Sequence, residues 1–258
     1  MKLSIETLGT GPALVMLHGW AMHSGLFAPL SSRLAERFTL HLVDLPGHGH
    51  NRDSEVPLQL GAIVDAIADR IPSAWWLGWS LGGLVALHAA QSRPAAVRGL
   101  VMLCANPRFV KGEDWSQGMP AAIFEGFARD LAADYRGTLD RFLMLEAQGS
   151  DHMREELRLL RDQVFARGEP PRSALCDGLD LLQSTDLRED LPRLSMPSLW
   201  IAGRRDRLVS PASMRAAAAL SPQSHYVEIA HGGHAPFLTH ADEVAQAIRV
   251  RAGQECPA

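Results

Sequence analysis

Short apolar runs alternate with amphipathic helical patterns through the first hundred residues of the chain. The apolar runs are ALVMLHG, LHLVDLPG, WWLGWS and GLVMLCAN, and the helical patterns among them include FAPLSSRLAERF, LGAIVDAIADRI and LGGLVALHAAQS. The apolar runs have few polar positions, which is typical of strands buried on both faces of a parallel sheet. The alternation therefore predicts an α/β fold, with a mostly parallel central sheet flanked by helices.

The pattern changes between about residues 107 and 185. Amphipathic helical stretches without a convincing strand follow one another here, among them AAIFEGFARDLAADY, LDRFLMLEAQ and HMREELRLLRDQVFA. Strand and helix patterns then alternate again to the end of the chain. We predict a single domain over residues 1–258, in which a helical lid at about 107–185 is inserted between core segments 1–106 and 186–258. Such a lid would cover the carboxyl edge of the sheet, where open α/β sheets bind ligands.

Composition narrows the classes of function. A chain of 258 residues, 47% hydrophobic and 21% charged, is long enough to bury one sizeable core. Its formal net charge of -4 gives no overall attraction to nucleic acid or to an anionic membrane. The first residues hold one lysine and a short apolar run interrupted by glycine and proline. We therefore expect neither a signal peptide nor a membrane span, and a cytoplasmic protein.

The three cysteines, Cys104, Cys176 and Cys256, are widely spaced and form no pair suited to zinc binding or redox chemistry. We interpret them as reduced structural residues, with Cys104 behaving as a small buried hydrophobic residue. A catalytic thiol at Cys104 is the alternative. We expect no metal and no organic cofactor.

The pentapeptide Gly78-Trp79-Ser80-Leu81-Gly82 lies between a predicted strand and a predicted helix and matches the nucleophile elbow G-x-S-x-G. The serine of such an elbow occupies a strained turn, so small residues are needed two positions before and after it. We predict that Ser80 is a nucleophile and that the amide of Leu81, at the start of the helix, faces the developing oxyanion. The alternative is that Ser80 only caps the helix and the glycines serve packing.

A serine hydroxyl needs a base that is itself oriented by a carboxylate, and in this arrangement the acid and then the base follow the serine along the chain. His234 lies in a glycine-rich loop after the last predicted strand and is the predicted base, whereas its neighbour His231 is interpreted as a turn or supporting residue. Asp206 follows the strand SLWIAG and is the predicted acid. It could instead be a surface residue paired with nearby arginines. Asp44 is the chief rival, but it opens a turn in which aspartate commonly bonds local backbone.

In enzymes with a nucleophile elbow, the second donor to the oxyanion comes from the loop after the first buried strand. His18-Gly19 is the matching signature in this chain, and the amide of Trp20 is the candidate donor. The Trp20 ring could also line an acyl pocket, or it could be purely structural.

Taken together, these residues resemble the α/β-hydrolase family over essentially the whole chain. The chain is most similar to one branch of it, the pimeloyl-[acyl-carrier protein] methyl ester carboxylesterases of biotin synthesis. The matching segments are LHGWAM, FTLHLVDLPGHG, WWLGWSLGGLVA, DRFLMLEAQG, STDLREDLPRLSMPSL and HGGHAPFLTH. The resemblance implies hydrolysis of a carrier-bound methyl ester through an acyl-enzyme, with Ser80, Asp206 and His234 as the triad.

The resemblance also implies a substrate site, in which Trp20, Ser80, Leu81 and His234 surround the ester. A segment of the predicted lid would line the acyl chain, and its residues are Phe142, Leu143, Met144, Leu145 and Glu146. The same segment fits equally the apolar stripe of a lid helix that packs on the core.

Acyl-carrier proteins are acidic, so an enzyme that binds one should carry basic residues near the pocket mouth. Arg154 and Arg158 share a helical face, and Arg141 precedes the acyl segment. The alternative is that these arginines form ion pairs with nearby carboxylates on a solvent-exposed helix face. The family pattern has a further arginine where this chain has Gly137, beside Arg136.

Two other functions fit the same residues. One is a hydrolase of other small esters, thioesters or carbon–carbon bonds, because the lid sets the substrate on this fold. The other is a non-catalytic receptor that binds a small ligand in the pocket. A dehalogenase or epoxide hydrolase would carry an aspartate at the position of Ser80. We expect a monomer.

Overall fold

The computed structural model describes residues 2–71 and 73–253. Cys256, interpreted above as a reduced structural cysteine, lies outside these residues. The strands are β1 (Ile5–Leu8), β2 (Ala13–Leu17), β3 (Thr39–Val43), β4 (Ala74–Trp79), β5 (Val97–Leu103), β6 (Ser198–Gly203) and β7 (Ser224–Ile229). They form one sheet in the order β1-β3-β2-β4-β5-β6-β7. Every pairing is parallel except that of β1 with β3, which confirms the prediction of a mostly parallel sheet.

Helices flank the sheet. Those outside the predicted lid are α1 (Ala28–Leu34), α2 (Leu60–Ala68), α3 (Leu81–Ser92), α8 (Pro211–Leu220), α9 (Pro236–Thr239) and α10 (Ala241–Gly253). Between β5 and β6 lie α4 (Ala121–Ala133), α5 (Tyr135–Ala147), α6 (Met153–Val164) and α7 (Arg172–Ser184). Over residues 2–71 and 73–253, no helix has both the length and the hydropathy needed to cross a bilayer.

The central strands are apolar because both of their faces are covered. Every residue of β4 and of β6 is buried, including three tryptophans in β4 alone. Because these strands are parallel, the residues that follow β4, β6 and β7 come together at one edge of the sheet. Ser80, Asp206 and His234 all follow one of these strands.

Strand β1 was not predicted from the hydrophobic pattern. It has only four residues, its first and last positions are half-buried, and its two middle positions are exposed. It pairs antiparallel with β3 at the edge of the sheet, with Ile5 opposite Val43 and Leu8 opposite Leu40. An edge strand of this kind lacks the continuous apolar run by which the other strands were recognised.

Residues 107–185, which we call the helical segment, contain α4 to α7 and only isolated β-bridges, at Val110–Met119 and Gly112–Trp115. The predicted helical stretches agree with α4, α5 and α6. Arg167, in the loop after α6, ties this segment to the core: its guanidinium lies 3.2 Å from Asp44 Oδ2 and 3.2 Å from Glu6 Oε2. Asp44 also accepts hydrogen bonds from the backbone amides of Ser24 and His50. Both of its carboxylate oxygens therefore have partners, in the backbone and in Arg167.

Arg167→Ala should lower the free energy of unfolding by about 1 to 2 kcal/mol, because Asp44 is almost fully buried and would lose its charged partner while keeping two backbone donors. Arg158→Ala is the control, since Arg158 is 65% exposed and its pair with Asp162 spans 3.5 Å. It should change stability by less than about 0.5 kcal/mol. Urea unfolding of the two variants tests this, and equal losses would contradict it.

Candidate active site

The backbone at Ser80 adopts a conformation that L-residues rarely occupy, with φ 53° and ψ -118°. It links the end of β4 to the start of α3. The flanking glycines are required by close backbone contacts: a Cβ at Gly78 would lie 2.1 Å from the carbonyl oxygen of Gly82, and one at Gly82 would lie 2.3 Å from that of Leu17. This is the crowding that the G-x-S-x-G pattern predicts.

The structure joins Ser80, His234 and Asp206 in one chain of buried hydrogen bonds. His234 Nε2 lies 2.9 Å from Ser80 Oγ, and His234 Nδ1 lies 2.8 Å from Asp206 Oδ2. The other carboxylate oxygen of Asp206 accepts from the amides of Leu208 and Val209, at 2.8 and 2.9 Å. With Nδ1–H donating to Asp206, Nε2 is left to accept the Ser80 proton, which is the arrangement a general base needs.

The electrostatic surroundings of His234 favour its protonated form. Burial alone would lower the pKa of His234, but the charge and hydrogen bond of Asp206 raise it above its usual value. An imidazolium formed at His234 would therefore be stabilised in place.

Trp79, the residue before Ser80, contacts the loop that carries His234. Its indole Nε1–H donates to the carbonyl oxygen of His234 at 2.8 Å, and its ring packs edge-on against Phe237 with centroids 5.1 Å apart. The sequence analysis assigned Trp79 no such role, because the partner lies 155 positions away.

The loop after β2 passes directly against the nucleophile, since a Cβ at Gly19 would lie 3.2 Å from Ser80 Cβ. His18 supports this loop: its Nε2 accepts from the amide of Leu45 at 2.8 Å, and its Nδ1 bonds the carbonyl oxygen of Gly19 at 2.8 Å. Burial, aided by the nearby His48, lowers the pKa of His18 to about 3. His18 is therefore neutral, and its two hydrogen bonds support the loop that carries Trp20.

The Trp20 ring connects this loop to the helical segment. Its Nε1–H donates to the carbonyl oxygen of Leu175 in α7 at 2.8 Å, and its ring lies edge-on to Phe142 of α5 at 4.6 Å. Gly178 of α7 leaves room for the ring, because a Cβ there would lie 2.7 Å from Trp20 Cδ1.

The residues of the predicted acyl segment lie on different faces of helix α5. Phe142, Leu143 and Glu146 are buried on its inner face, and Leu145 is half-buried. Met144 departs from the expectation: it is 41% exposed and lines a surface groove of about 600 Å³ between α4 and α5. Helical geometry explains the division, since positions three and four apart share a face whereas a residue two positions on points elsewhere.

Asp151, between α5 and α6, bridges the loops of the acid and the base. One of its carboxylate oxygens lies 2.7 Å from Arg205 Nη1, and the other lies 2.7 Å from His231 Nδ1. Arg205 directly precedes Asp206, and His231 is three residues before His234. Asp151, which the sequence analysis missed, thus contacts the loops of Asp206 and of His234 from the helical segment, the second of them through His231.

Of the two described cysteines, Cys104 lies beside this site: its thiol donates to the carbonyl oxygen of Gly233, the residue before His234, at 3.8 Å. Cys104 is buried and burial raises the pKa of its thiol, while Cys176 is half-buried and forms no disulfide. In the ranges 2–71 and 73–253, no three side chains of histidine, cysteine, aspartate or glutamate are grouped so as to hold a metal ion.

Gly178→Ala should lower kcat/KM for a p-nitrophenyl ester by about tenfold, because the new methyl group displaces the Trp20 ring and with it the loop beside Ser80. Gly126→Ala in α4 is the matched control, since the nearest group to its added Cβ is the guanidinium of Arg129 at 3.8 Å. This control should keep its activity and gain up to about 1 kcal/mol in stability. Steady-state kinetics and thermal unfolding test the pair; full activity in Gly178→Ala would contradict the prediction.

Comparison with known proteins agrees with this geometry. Residues 12–241 match the family described as alpha/beta hydrolase fold. The chain is 61% identical to the pimeloyl-[acyl-carrier protein] methyl ester esterase of Stenotrophomonas maltophilia (strain R551-3), over 96% of this chain and 95% of that protein. It is 58% identical to the protein of the same name from Xanthomonas campestris pv. campestris (strain B100), over 95% of this chain and 97% of the relative.

Among solved structures, the bromoperoxidase from Bacillus anthracis superposes with a TM-score of 0.86 at 22% identity, covering 96% of this chain and 94% of that one. A likeness at this level of identity shows the fold alone. The extended family match and the near full-length relatives carry the assignment further: this chain belongs to the α/β hydrolase family and, within it, to the group of the pimeloyl-[acyl-carrier protein] methyl ester esterases.

Proposed function

We propose that this chain is a serine carboxylesterase that hydrolyses the methyl ester of a pimeloyl chain held on acyl-carrier protein, a step of biotin synthesis. The observation that carries the chemistry is the buried hydrogen-bond chain from Ser80 through His234 to Asp206. The substrate is supported by the names of relatives that are about 60% identical over nearly their whole length.

The reaction follows from the positions of these three residues. His234 takes the proton of Ser80, whose oxygen attacks the ester carbonyl carbon, and Asp206 stabilises the imidazolium that results. The carbon–oxygen bond to the methoxy group then breaks, and His234 returns the proton so that methanol leaves. His234 then deprotonates a water molecule, whose oxygen attacks the acyl carbon. The carbon–oxygen bond to Ser80 breaks, Ser80 takes the proton back from His234, and the free carboxylate is released.

Trp20 and Leu81 are the proposed oxyanion donors. Leu81 is the first residue of α3, and amides in the first turn of a helix have no acceptor within the helix. Trp20 follows Gly19, which lies against the Ser80 side chain. With Phe142, Leu143 and Glu146 of α5, these residues form the proposed substrate site, from which the exposed Met144 is left out.

The proposal includes the organisation of the chain as one domain with a helical lid at about residues 107–185. Ser80 is only 2% exposed and His234 is fully buried, so a long acyl substrate needs part of the lid to move. We expect the enzyme to act as a monomer in the cytoplasm.

Arginines on the outer face of the lid are proposed to bind the acidic carrier protein. Arg141 is paired with Asp130 and Asp134, and Arg158 with Asp162. Arg154 is exposed and makes no ion pair with any other described residue, so its charge is the most available of the three for a partner.

Ser80→Ala should lower kcat for a p-nitrophenyl ester by roughly 10³-fold or more, since the nucleophile is removed while the pocket is kept. The wild-type gene should also rescue a biotin-requiring strain that lacks this esterase, and the Ser80→Ala gene should not. Retained esterase activity in the variant would overturn the catalytic assignment. Failure of the wild type to rescue, despite soluble expression, would overturn the substrate.

Arg154→Ala should raise KM for the carrier-bound methyl ester several-fold and leave kcat/KM for a p-nitrophenyl ester unchanged, because only the carrier reaches the outer face of the lid. Arg98→Ala is the control: Arg98 is also exposed, but it lies at the start of β5, at the opposite edge of the sheet from Ser80. The KM difference should shrink as salt is added. Equal KM values for the two variants would rule out docking through Arg154.

A further inference from the structure

Glu146 is a buried acid that the mechanism above does not use. It is fully buried, and neither of its carboxyl oxygens has a hydrogen-bond partner among the described residues. Glu156 is equally buried, but its Oε1 accepts from Ser150 Oγ at 2.7 Å and from Thr239 Oγ1 at 2.8 Å. Burying a carboxyl group without a partner costs stability. Glu146 therefore does not serve the fold in the way that Glu156 does.

The position of Glu146 places it on the wall of the acyl site. It lies one helical turn after Phe142 on the buried face of α5, and Phe142 packs against the Trp20 ring. The charges of His234, Asp206 and Glu156 all act on it. Glu146 thus shares the buried face of α5 with Phe142, which touches the Trp20 ring, and it lies close enough to His234 and Asp206 to interact with their charges.

Glu146 holds its proton at neutral pH. Burial raises the pKa of its carboxyl group to about 8; the charge of His234 opposes this rise, and the charges of Asp206 and Glu156 add to it. A protonated carboxyl group is a hydrogen-bond donor, whereas a carboxylate can only accept.

We propose that Glu146 binds the ester group of the substrate, its protonated carboxyl group donating a hydrogen bond to the alkoxy oxygen of the methyl ester. This deepens the proposed function and rests on it, since it assumes an alkyl ester attacked by Ser80. The alkoxy oxygen must lie near His234, which protonates it as methanol leaves. A donor at this point stabilises the negative charge that grows on the leaving oxygen, so its effect is larger in the transition state than in the bound substrate.

The ionised form of Glu146 opposes the reaction. A carboxylate offers the alkoxy oxygen no donor and adds a negative charge beside the developing oxyanion. The titratable groups whose charges act on Glu146 are His234 after β7, Asp206 after β6 and Glu156 on α6. Activity should rise with pH as the His234 imidazole loses its proton. It should fall again as Glu146 ionises near pH 8.

Two substitutions separate these effects. Glu146→Gln keeps the volume and a donor but cannot ionise, and Glu146→Leu removes the donor. The substrates are dimethyl pimelate, whose methoxide is a poor leaving group, and p-nitrophenyl acetate, whose leaving group needs little help. We expect Glu146→Leu to lower kcat/KM for the dimethyl ester by about tenfold, mostly in kcat, and for the p-nitrophenyl ester by less than about threefold. Glu146→Gln should stay within about threefold of the wild type at neutral pH.

The pH profile supplies the readout that a merely structural role would not change. Glu146→Gln should lose the fall in kcat/KM above about pH 8 and keep the rise that belongs to His234. Glu156→Gln is the matched control, a second buried glutamate that should keep the alkaline fall. If Glu156→Gln removes the fall and Glu146→Gln keeps it, the proposal is wrong.

Equal losses on the two esters in Glu146→Leu, or no loss on the dimethyl ester, would also overturn the proposal. Neither substrate involves the carrier protein, so a failure of carrier recognition leaves this test intact.

Stability gives a second measure that does not depend on activity. The carboxyl group of Glu146 binds its proton more tightly in the folded than in the unfolded chain, so its contribution to stability is lost as pH rises toward and through about 8. Thermal unfolding at about pH 6 and pH 9 should show a larger fall in Tm for the wild type than for Glu146→Gln. Equal falls would mean that Glu146 does not carry a proton inside the protein.

Discussion

The backbone of Ser80 is held at a positive φ of 53°, and the rest of the site is arranged around the close contacts that hold it there. An added Cβ at Gly82 would lie 2.3 Å from the carbonyl oxygen of Leu17, and one at Gly83 would lie 2.2 Å from the methyl carbon of Ala105. Strain of this kind persists only where the surrounding packing imposes it, at a cost of order 1 to 3 kcal/mol. The contacts fix the nucleophile relative to β2 and β5, the strands on either side of β4.

The meeting of Ser80, Asp206 and His234 could be predicted because the position of each depends on local sequence. Ser80, Asp206 and His234 each follow a strand that is recognisable as an apolar run, and parallel strands bring their carboxyl ends to the same edge of the sheet. The turn that Asp44 opens distinguished it from Asp206, and the structure shows Asp44 bonded to turn backbone and to Arg167. The mostly parallel sheet was predictable for the same reason, whereas β1 was not.

The supporting contacts could not be predicted, because they join residues far apart in the chain. Trp79 reaches the carbonyl oxygen of His234 across 155 positions, and Asp151 bridges two loops that come later in the sequence. Which residues of α5 are buried could not be predicted from the hydrophobic pattern either. Phe142 and Glu146 point inward and Met144 outward, a choice made by how the helix packs and not by the hydropathy of the segment.

The bond from the Trp20 indole to the carbonyl oxygen of Leu175 has a thermodynamic consequence. It joins the loop beside the nucleophile to α7, so a movement of α7 that admits a ligand either breaks the bond or shifts the loop. Admission of substrate and assembly of the reactive geometry are then linked equilibria. Whatever favours the closed arrangement, including the acyl chain itself, also favours the competent loop by the same free energy. On the proposed lid, an ester that does not hold α7 in place would forgo that contribution.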